Sequence, residues 1–264
     1  MKKKIKIVLI GAGNIAHHLL QLFLLNNEIE IVQIFNRRQT VAAKKLASKS
    51  NTHLISDYAK LITNADIYFI CVKDDAIFDV AKELAKLNLK GLVVHTSGSV
   101  DVFVLQQASK KIGVFYPLQS FSINDSVDWK SVPIFLEATS PSSLLLLKLI
   151  AKKNSAIVKV FNSQQRLQFH LAAVFASNFT NALYAVAFSL IEKQFPENDT
   201  KLLTPLITQS LNKTLKLSPK QAQTGPAKRG DKITMNKHLK LLEGNTSLKK
   251  TYKQLSDLII EQQR

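Results

Sequence analysis

Along the first hundred or so residues, short apolar runs alternate with amphipathic ones. IKIVLI (5–10), EIEIVQIF (28–35), ADIYFICV (65–72) and GLVVHTS (91–97) are largely apolar runs of strand length. NIAHHLLQLFLL (14–25), TVAAKKLASKS (40–50) and DDAIFDVAKELAKL (74–87) repeat their apolar positions at helical spacing. Strands that alternate with helices at this spacing predict a parallel, doubly wound sheet. Runs apolar on both faces fit strands covered by helices on both sides. The pattern continues less cleanly through KIGVFYPL, VPIFLEA and SAIVKVF, with a helix at SPSSLLLLKLIAKKN (140–154) that opens on Ser-Pro. After Ser163 no strand signal remains. Helical segments follow at 164–194, 199–217, 219–223 and 247–261. The fold class is therefore α/β, a mostly parallel sheet domain over 1–162 followed by an all-α domain over 163–264.

Composition narrows the class. Of 264 residues, 46% are hydrophobic and 21% charged, a globular balance. The single cysteine, Cys71, rules out an internal disulfide and a thiolate metal cage. It fits a reducing, cytoplasmic setting. No metal is expected. The opening MKKKIKIVLIGAGNIA mimics a secretion signal, but Lys6 breaks its apolar run and a strand explains it better. No uninterrupted apolar stretch reaches membrane-spanning length. The nearest, Phe169 to Ile191, is broken by Ser177, Asn178, Thr180 and Asn181, so no membrane partner is expected. The net charge of +17 comes from lysines spread along the chain, without a basic strand interleaved with aromatics. Nucleic acid is accordingly not expected as a partner.

The chemistry begins at Gly11-Ala12-Gly13-Asn14-Ile15-Ala16, which has the form G-x-G-x-x-G/A between a strand and a helix. Gly11 permits the tight turn, and Gly13 lets the backbone approach a pyrophosphate. Ala16 allows close helix–strand packing, and the helix N-terminus faces the anion. The second strand ends in Asn36-Arg37-Arg38. An acid there would bond a ribose 2′-hydroxyl, whereas two guanidiniums suit a 2′-phosphate. The expected cofactor is NADP(H). Val72 and Lys73, and then His95, end strands that border the same crevice. Asp74 or Asp75 reads as a helix cap.

Two segments offer a reaction site. HTSGS (95–99) places Ser97, Gly98 and Ser99 at a strand's carboxyl end, where hydroxyls and N–H groups can meet a substrate or simply cap the next helix. In the long helix, at about 100° per residue, Arg166, His170, Ser177 and Asn181 fall within about 60° of one another, with Asn178 about 60° beyond. A helix this apolar is expected to be buried, so its polar stripe must face something polar. That is a binding site, or a helix–helix or subunit contact with internal hydrogen bonds. TGPAKRGD (224–231) reads as a kinked interhelical loop whose Arg229 and Asp231 could hold a substrate or pair together.

Glycine loop, NRR, VKDDAI, HTSGS, YPLQSF, HLAAVFASNF and TGPAKRGD together resemble the NADP oxidoreductases that join a Rossmann-like domain to domain of unknown function 2520. The resemblance covers nearly the whole chain. It implies kinship with pyrroline-5-carboxylate reductase, ketopantoate reductase and the 6-phosphogluconate and β-hydroxyacid dehydrogenases. It implies hydride transfer to a carbonyl or imine of a small carboxylate and a homodimer built through the helical domain. The dehydrogenase relatives carry a catalytic lysine on the first long helix of the second domain, with asparagine four or eight residues later. Here His170 stands at the comparable place, with Val174 fourth and Asn178 eighth. His170 is thus the candidate proton donor, with Asn178 and Ser97 as orienting catalytic groups. Ser97, Gly98, Ser177, Asn181 and Arg229 are candidate substrate contacts. The missing lysine keeps a second reading open, a non-catalytic NADPH-binding regulator. A basic nucleic-acid-binding protein is the third, opposed by the glycine loop.

Overall fold

The computed structural model describes residues 4–195 and 199–263. Its strands are β1 (Ile5–Ile10), β2 (Ile29–Phe35), β3 (His53–Ile55), β4 (Ile67–Ile70), β5 (Leu92–His95), β6 (Ile112–Pro117), β7 (Ile134–Ala138) and β8 (Val158–Val160). They form one sheet in the order β3-β2-β1-β4-β5-β6-β7-β8. All neighbours are parallel except β6 and β7. The sheet order reverses direction on either side of β1, which makes a crevice at the carboxyl edge between β1 and β4. The three-residue edge strand β3 is not foreshadowed by the sequence pattern, because so short a run shows no periodicity.

Alternation along each central strand feeds two cores. Ile7 and Leu9 point to one face with Leu19, Phe23, Phe69 and Leu147. Val8 and Ile10 point to the other with Tyr68, Ile70, Leu84 and Val114. The covering helices are α1 (Asn14–Leu24), α2 (Val41–Ser50), α3 (Ile77–Ala85) and α4 (Pro141–Asn154). Their starts follow capping chemistry. Thr40 accepts from the Ala43 N–H, and Ser140 from the Ser143 N–H just ahead of Pro141.

The long helical run contains α5 (Ser163–Ala173), a π-helical turn over Val174–Phe179 and α6 (Thr180–Gln194). Asn162 and Gln165 close a reciprocal capping box at its start. Compact units divide within this run, one ending at Asn181 and the other starting at Ala182. The sequence pattern puts the junction at 162/163, where strands end. The second unit contains the rest of α6, then α7 (Thr204–Lys216), α8 (Pro219–Ala222), α9 (Pro226–Arg229), α10 (Lys232–Leu241) and α11 (Thr246–Gln263).

The long helix departs from expectation in one respect. It is not buried: of its residues only Arg166 is, and Leu167, Leu171, Phe175, Phe179, Leu183 and Leu190 are exposed. A helix can be apolar all round because its partner lies outside the chain, which periodicity does not distinguish from a core. Averaged over its most apolar window, Ser163–Gln194 is also long and apolar enough to cross a membrane, by length and composition, despite its polar interruptions.

Candidate functional site

The glycine loop has the geometry its sequence demands. Gly11 has φ +109°, and a Cβ there would lie 2.4 Å from the Cys71 carbonyl oxygen. Only glycine meets both conditions. Gly13 precedes α1 with no side-chain cap, so the first-turn N–H groups stay available to an anion. Two clefts open here. One of about 670 Å³ is lined by Gly11 to Ile15, Asn36, Thr40, Val72, Lys73 and Phe121. The other, about 1080 Å³, runs past Asn36, Arg37, Tyr58, Lys73 and Asp79. They share Gly11, Asn36, Val72 and Lys73. The Asn36 amide donates to the Arg38 carbonyl, fixing the Asn-Arg-Arg turn. Arg37 lines the larger cleft, and Arg38 is exposed and outside both linings. These groups fit a dinucleotide with a 2′-phosphate.

Sequence reasoning missed the other walls of the clefts. The segment 118–131 lies against α1, where Asn14 Nδ2 donates to the Phe121 carbonyl at 2.8 Å and His18 Nε2 lies 2.7 Å from the Ser122 carbonyl. Tyr58 stacks on Phe35 at 4.1 Å between ring centres. Phe121 closes the YPLQSF motif, to which the sequence assigned no role, and Tyr58 comes from a segment that no motif marks. Cys71, buried beneath the glycine loop, has its thiol pushed up to about 12 by burial and stays protonated.

The HTSGS loop is braced from within. His95 is fully buried and lines neither cleft, contrary to the cofactor contact expected of it. Its Nδ1 accepts from the Ser97 N–H at 3.2 Å. Burial, and then the Arg166 charge, lower it to about 3, so it is neutral. Ser97 is buried as well. Its hydroxyl donates to Asp74 Oδ2 at 2.8 Å and accepts from the Ser99 and Val100 N–H groups, each at 3.1 Å. That hydroxyl's proton is therefore committed, so Ser97 shapes the loop and does not present a donor to substrate. Ser99 Oγ also donates to Asp74, at 2.6 Å. Asp74, which reads as a cap, instead ties this loop to the end of β4. It forms no salt bridge among the described residues.

The long helix meets this loop at its first two turns. Arg166 is 1% exposed, and its guanidinium pairs with Glu137 while donating to the Val100 carbonyl. Glu137 also accepts from the Ser163 N–H at 3.0 Å and hydroxyl at 2.9 Å. Arg166 is thus a bolt between helix and sheet, not a ligand. One turn on, His170 Nδ1 lies 3.1 Å from the Tyr116 hydroxyl of β6. Gly98 is pressed against both, since a Cβ there would sit 2.7 Å from His170 Nδ1 and 2.7 Å from Tyr116 Cζ. Tyr116 opens the YPLQSF motif, but the sequence assigned it no role, and it reads as one more strand aromatic.

Beyond Val174 the helix no longer obeys the α period. A π turn closes on i→i+5 and holds about one extra residue, so the residues after it are set back by roughly 100°. The structure leaves Ser177, Asn178 and Asn181 exposed, without side-chain hydrogen bonds among the described residues. Arg229 is exposed in the second unit at the end of α9 and forms no salt bridge among the described residues. Asp231 is instead the cap of α10, accepting from the Thr234 N–H at 3.0 Å and hydroxyl at 2.7 Å. Those two bonds, the backbone one first, lower its carboxyl below the ordinary range.

Comparison with known proteins bears on this site. Residues 6–97 match a family described as NADP oxidoreductase coenzyme F420-dependent, and residues 132–259 match domain of unknown function 2520. No curated protein matches the chain. Among solved structures, a candidate NADP oxidoreductase from Bacteroides fragilis is 37% identical, with 98% of each chain covered and a TM-score of 0.89. An imine reductase from Myxococcus stipitatus in complex with NADP+ is 16% identical, covers 97% of this chain and 92% of its own, and has a TM-score of 0.64. A reductive aminase from Aspergillus terreus in complex with NADPH is 16% identical, covers 99% and 95%, and has a TM-score of 0.72. The two distant structures share the fold. The glycine cradle, the arginine-flanked crevice and the near relative agree on an oxidoreductase that uses NADP(H). The chain belongs to the family of NADP oxidoreductases that join a Rossmann-like domain to domain of unknown function 2520.

Proposed function

We propose that the protein reduces a carbonyl or imine of a small carboxylate substrate at the expense of NADPH, with His170 as proton donor. One observation carries the reading. Lys73 lines the dinucleotide cleft, its neighbour Asp74 holds the Ser97–Ser99 loop, and Gly98 of that loop packs on His170. An unbroken chain of contacts thus runs from cleft to imidazole. NADPH, when bound, supplies the hydride. An imidazole can carry a donor N–H on either ring nitrogen, which suits it to deliver the matching proton. The Asp74 carboxylate favours the imine half of the substrate class, because its charge stabilises a protonated C=N.

The test is a fluorescence titration with NADPH and NADH, followed by a panel of 2-oxo acids and cyclic imino acids monitored by NADPH oxidation. Preference for NADPH and turnover of a panel member support the reading. Binding without turnover of any substrate favours the non-catalytic regulator. Failure to bind either nucleotide overturns the reading.

The uncovered helix supports a homodimer. Its exposed leucines and phenylalanines would be covered by the same face of a second copy. Light scattering on the purified chain checks this: a dimer is expected, and a monomer at micromolar concentration sinks it. Solubility only in detergent would point to a membrane instead.

A further inference from the structure

We infer that Tyr116 is a positioning residue that fixes the tautomer and orientation of His170, so that Nε2 is the atom offered to substrate. This rests on the reductase reading above. Tyr116 projects from β6 and His170 from α5, so the pair joins sheet and helix at the edge where the HTSGS loop ends. The hydroxyl-to-Nδ1 distance is 3.1 Å, and the rings meet edge to face at 75°. Gly98 closes the third side so tightly that a methyl group would collide with both rings. His170 Nε2 has no partner among the described residues.

The hydroxyl suits both states of the imidazole. Burial, and then the Asp74 charge, push the Tyr116 phenol up, so it keeps its proton through the neutral range. When His170 is neutral, Tyr116 O–H donates to Nδ1, which places the ring proton on Nε2. When His170 is cationic, Nδ1–H donates to the phenol oxygen and Nε2–H remains the free donor. The ring therefore need not turn during the cycle.

The proton accounting closes on these atoms. The substrate carbon gains the hydride with its electron pair, and NADPH becomes NADP+. The substrate nitrogen or oxygen forms a new bond to the proton on Nε2 of the imidazolium, and the broken N–H pair stays on Nε2. Donation leaves the neutral ring with its proton on Nδ1, given to the Tyr116 oxygen, until solvent protonates Nε2 again and the resting Nε2–H form is restored. Without Tyr116 nothing holds Nδ1 in either state, and the ring can swing away from its seat.

Nitrogen-15 NMR of histidine-labelled full-length protein tests this without any substrate. His170→Gln assigns the signal. The second unit holds a comparable pair, His238 Nδ1 at 2.8 Å from the Tyr252 hydroxyl, which serves as an internal reference. At a pH where the nitrogen-15 shifts themselves show the ring to be neutral, wild type should show one Nε2–H tautomer for His170. Tyr116→Phe should give a mixture, with His238 unchanged. Gly98→Ala should do the same by displacing the ring, and serves if Tyr116→Phe does not fold. An unchanged His170 tautomer in the folded variants overturns the inference. On a substrate from the panel, Tyr116→Phe should lower kcat by roughly tenfold to a hundredfold with little change in KM. An equal loss in a variant whose tautomer is unchanged also overturns it. Loss of NADPH binding by wild type would refute the reductase reading and leave the tautomer result standing, so the two failures are distinguishable.

Discussion

Removing the carboxylate of Glu137 tests how the site is held together. Arg166 is 1% exposed and cannot reach bulk water. In Glu137→Ala it keeps the Val100 carbonyl and the Ser163 hydroxyl but loses its counter-charge. Its Nε already lacks a partner. Breaking a buried pair from one side costs about 3–5 kcal/mol. The Glu137 side chain is 16% exposed, so water softens the loss toward about 3 kcal/mol. With a urea slope of about 2 kcal/mol per molar, the midpoint should fall by about 1.5 M. The single tryptophan, Trp129, lies in the core of the same unit and reports the transition by fluorescence. Glu137→Leu combined with Arg166→Met should recover most of the loss, because the pair's desolvation cost disappears with the pair. A midpoint shift below about 0.5 M in Glu137→Ala would refute the claim that this pair bolts the helix to the sheet.

Other outcomes rest on individual contacts. Gly11→Ala should abolish NADPH binding and lower stability, since the added methyl meets the Cys71 carbonyl at 2.4 Å; wild-type affinity in a binding titration would contradict the cradle. Arg37→Ala should weaken NADPH by about tenfold or more and leave NADH nearly unchanged, as expected for one charge-assisted contact to a 2′-phosphate. His95 is neutral in the fold, with its pKa lowered to about 3, and takes a proton in the unfolded chain near 6.5. The unfolded state therefore binds more protons between those values. Stability should fall as pH drops through that window and gain nothing from His95 above it. His95→Asn, whose amide oxygen can still accept from the Ser97 N–H, should lose less stability between pH 7 and about pH 4.5 in parallel denaturant melts. Phe175→Asp, on the uncovered helix, should convert a dimer to monomer in light scattering without altering Trp129 fluorescence.

Local pattern alone determined much of this protein. A glycine turn between strand and helix depends on neighbours in sequence, so Gly11 to Ala16, the strand–helix alternation and the arginines after β2 were legible as they stood. The composition of the strands likewise announced a sheet covered on both faces. Contacts between distant segments were not legible, because a side chain's role depends on what the fold brings to it. Arg166 and His170 lie on one helical stripe, yet one is consumed by Glu137 of β7 and the other meets Tyr116 of β6. Ser97 looks like a donor to substrate until Asp74, 23 residues earlier, takes its proton. The π turn over Val174–Phe179 resets the azimuth of the residues beyond it, and no α-helical wheel contains that shift. The long helix shows the same limit: periodicity reveals an apolar surface, and only the tertiary structure shows that it is left exposed among the described residues.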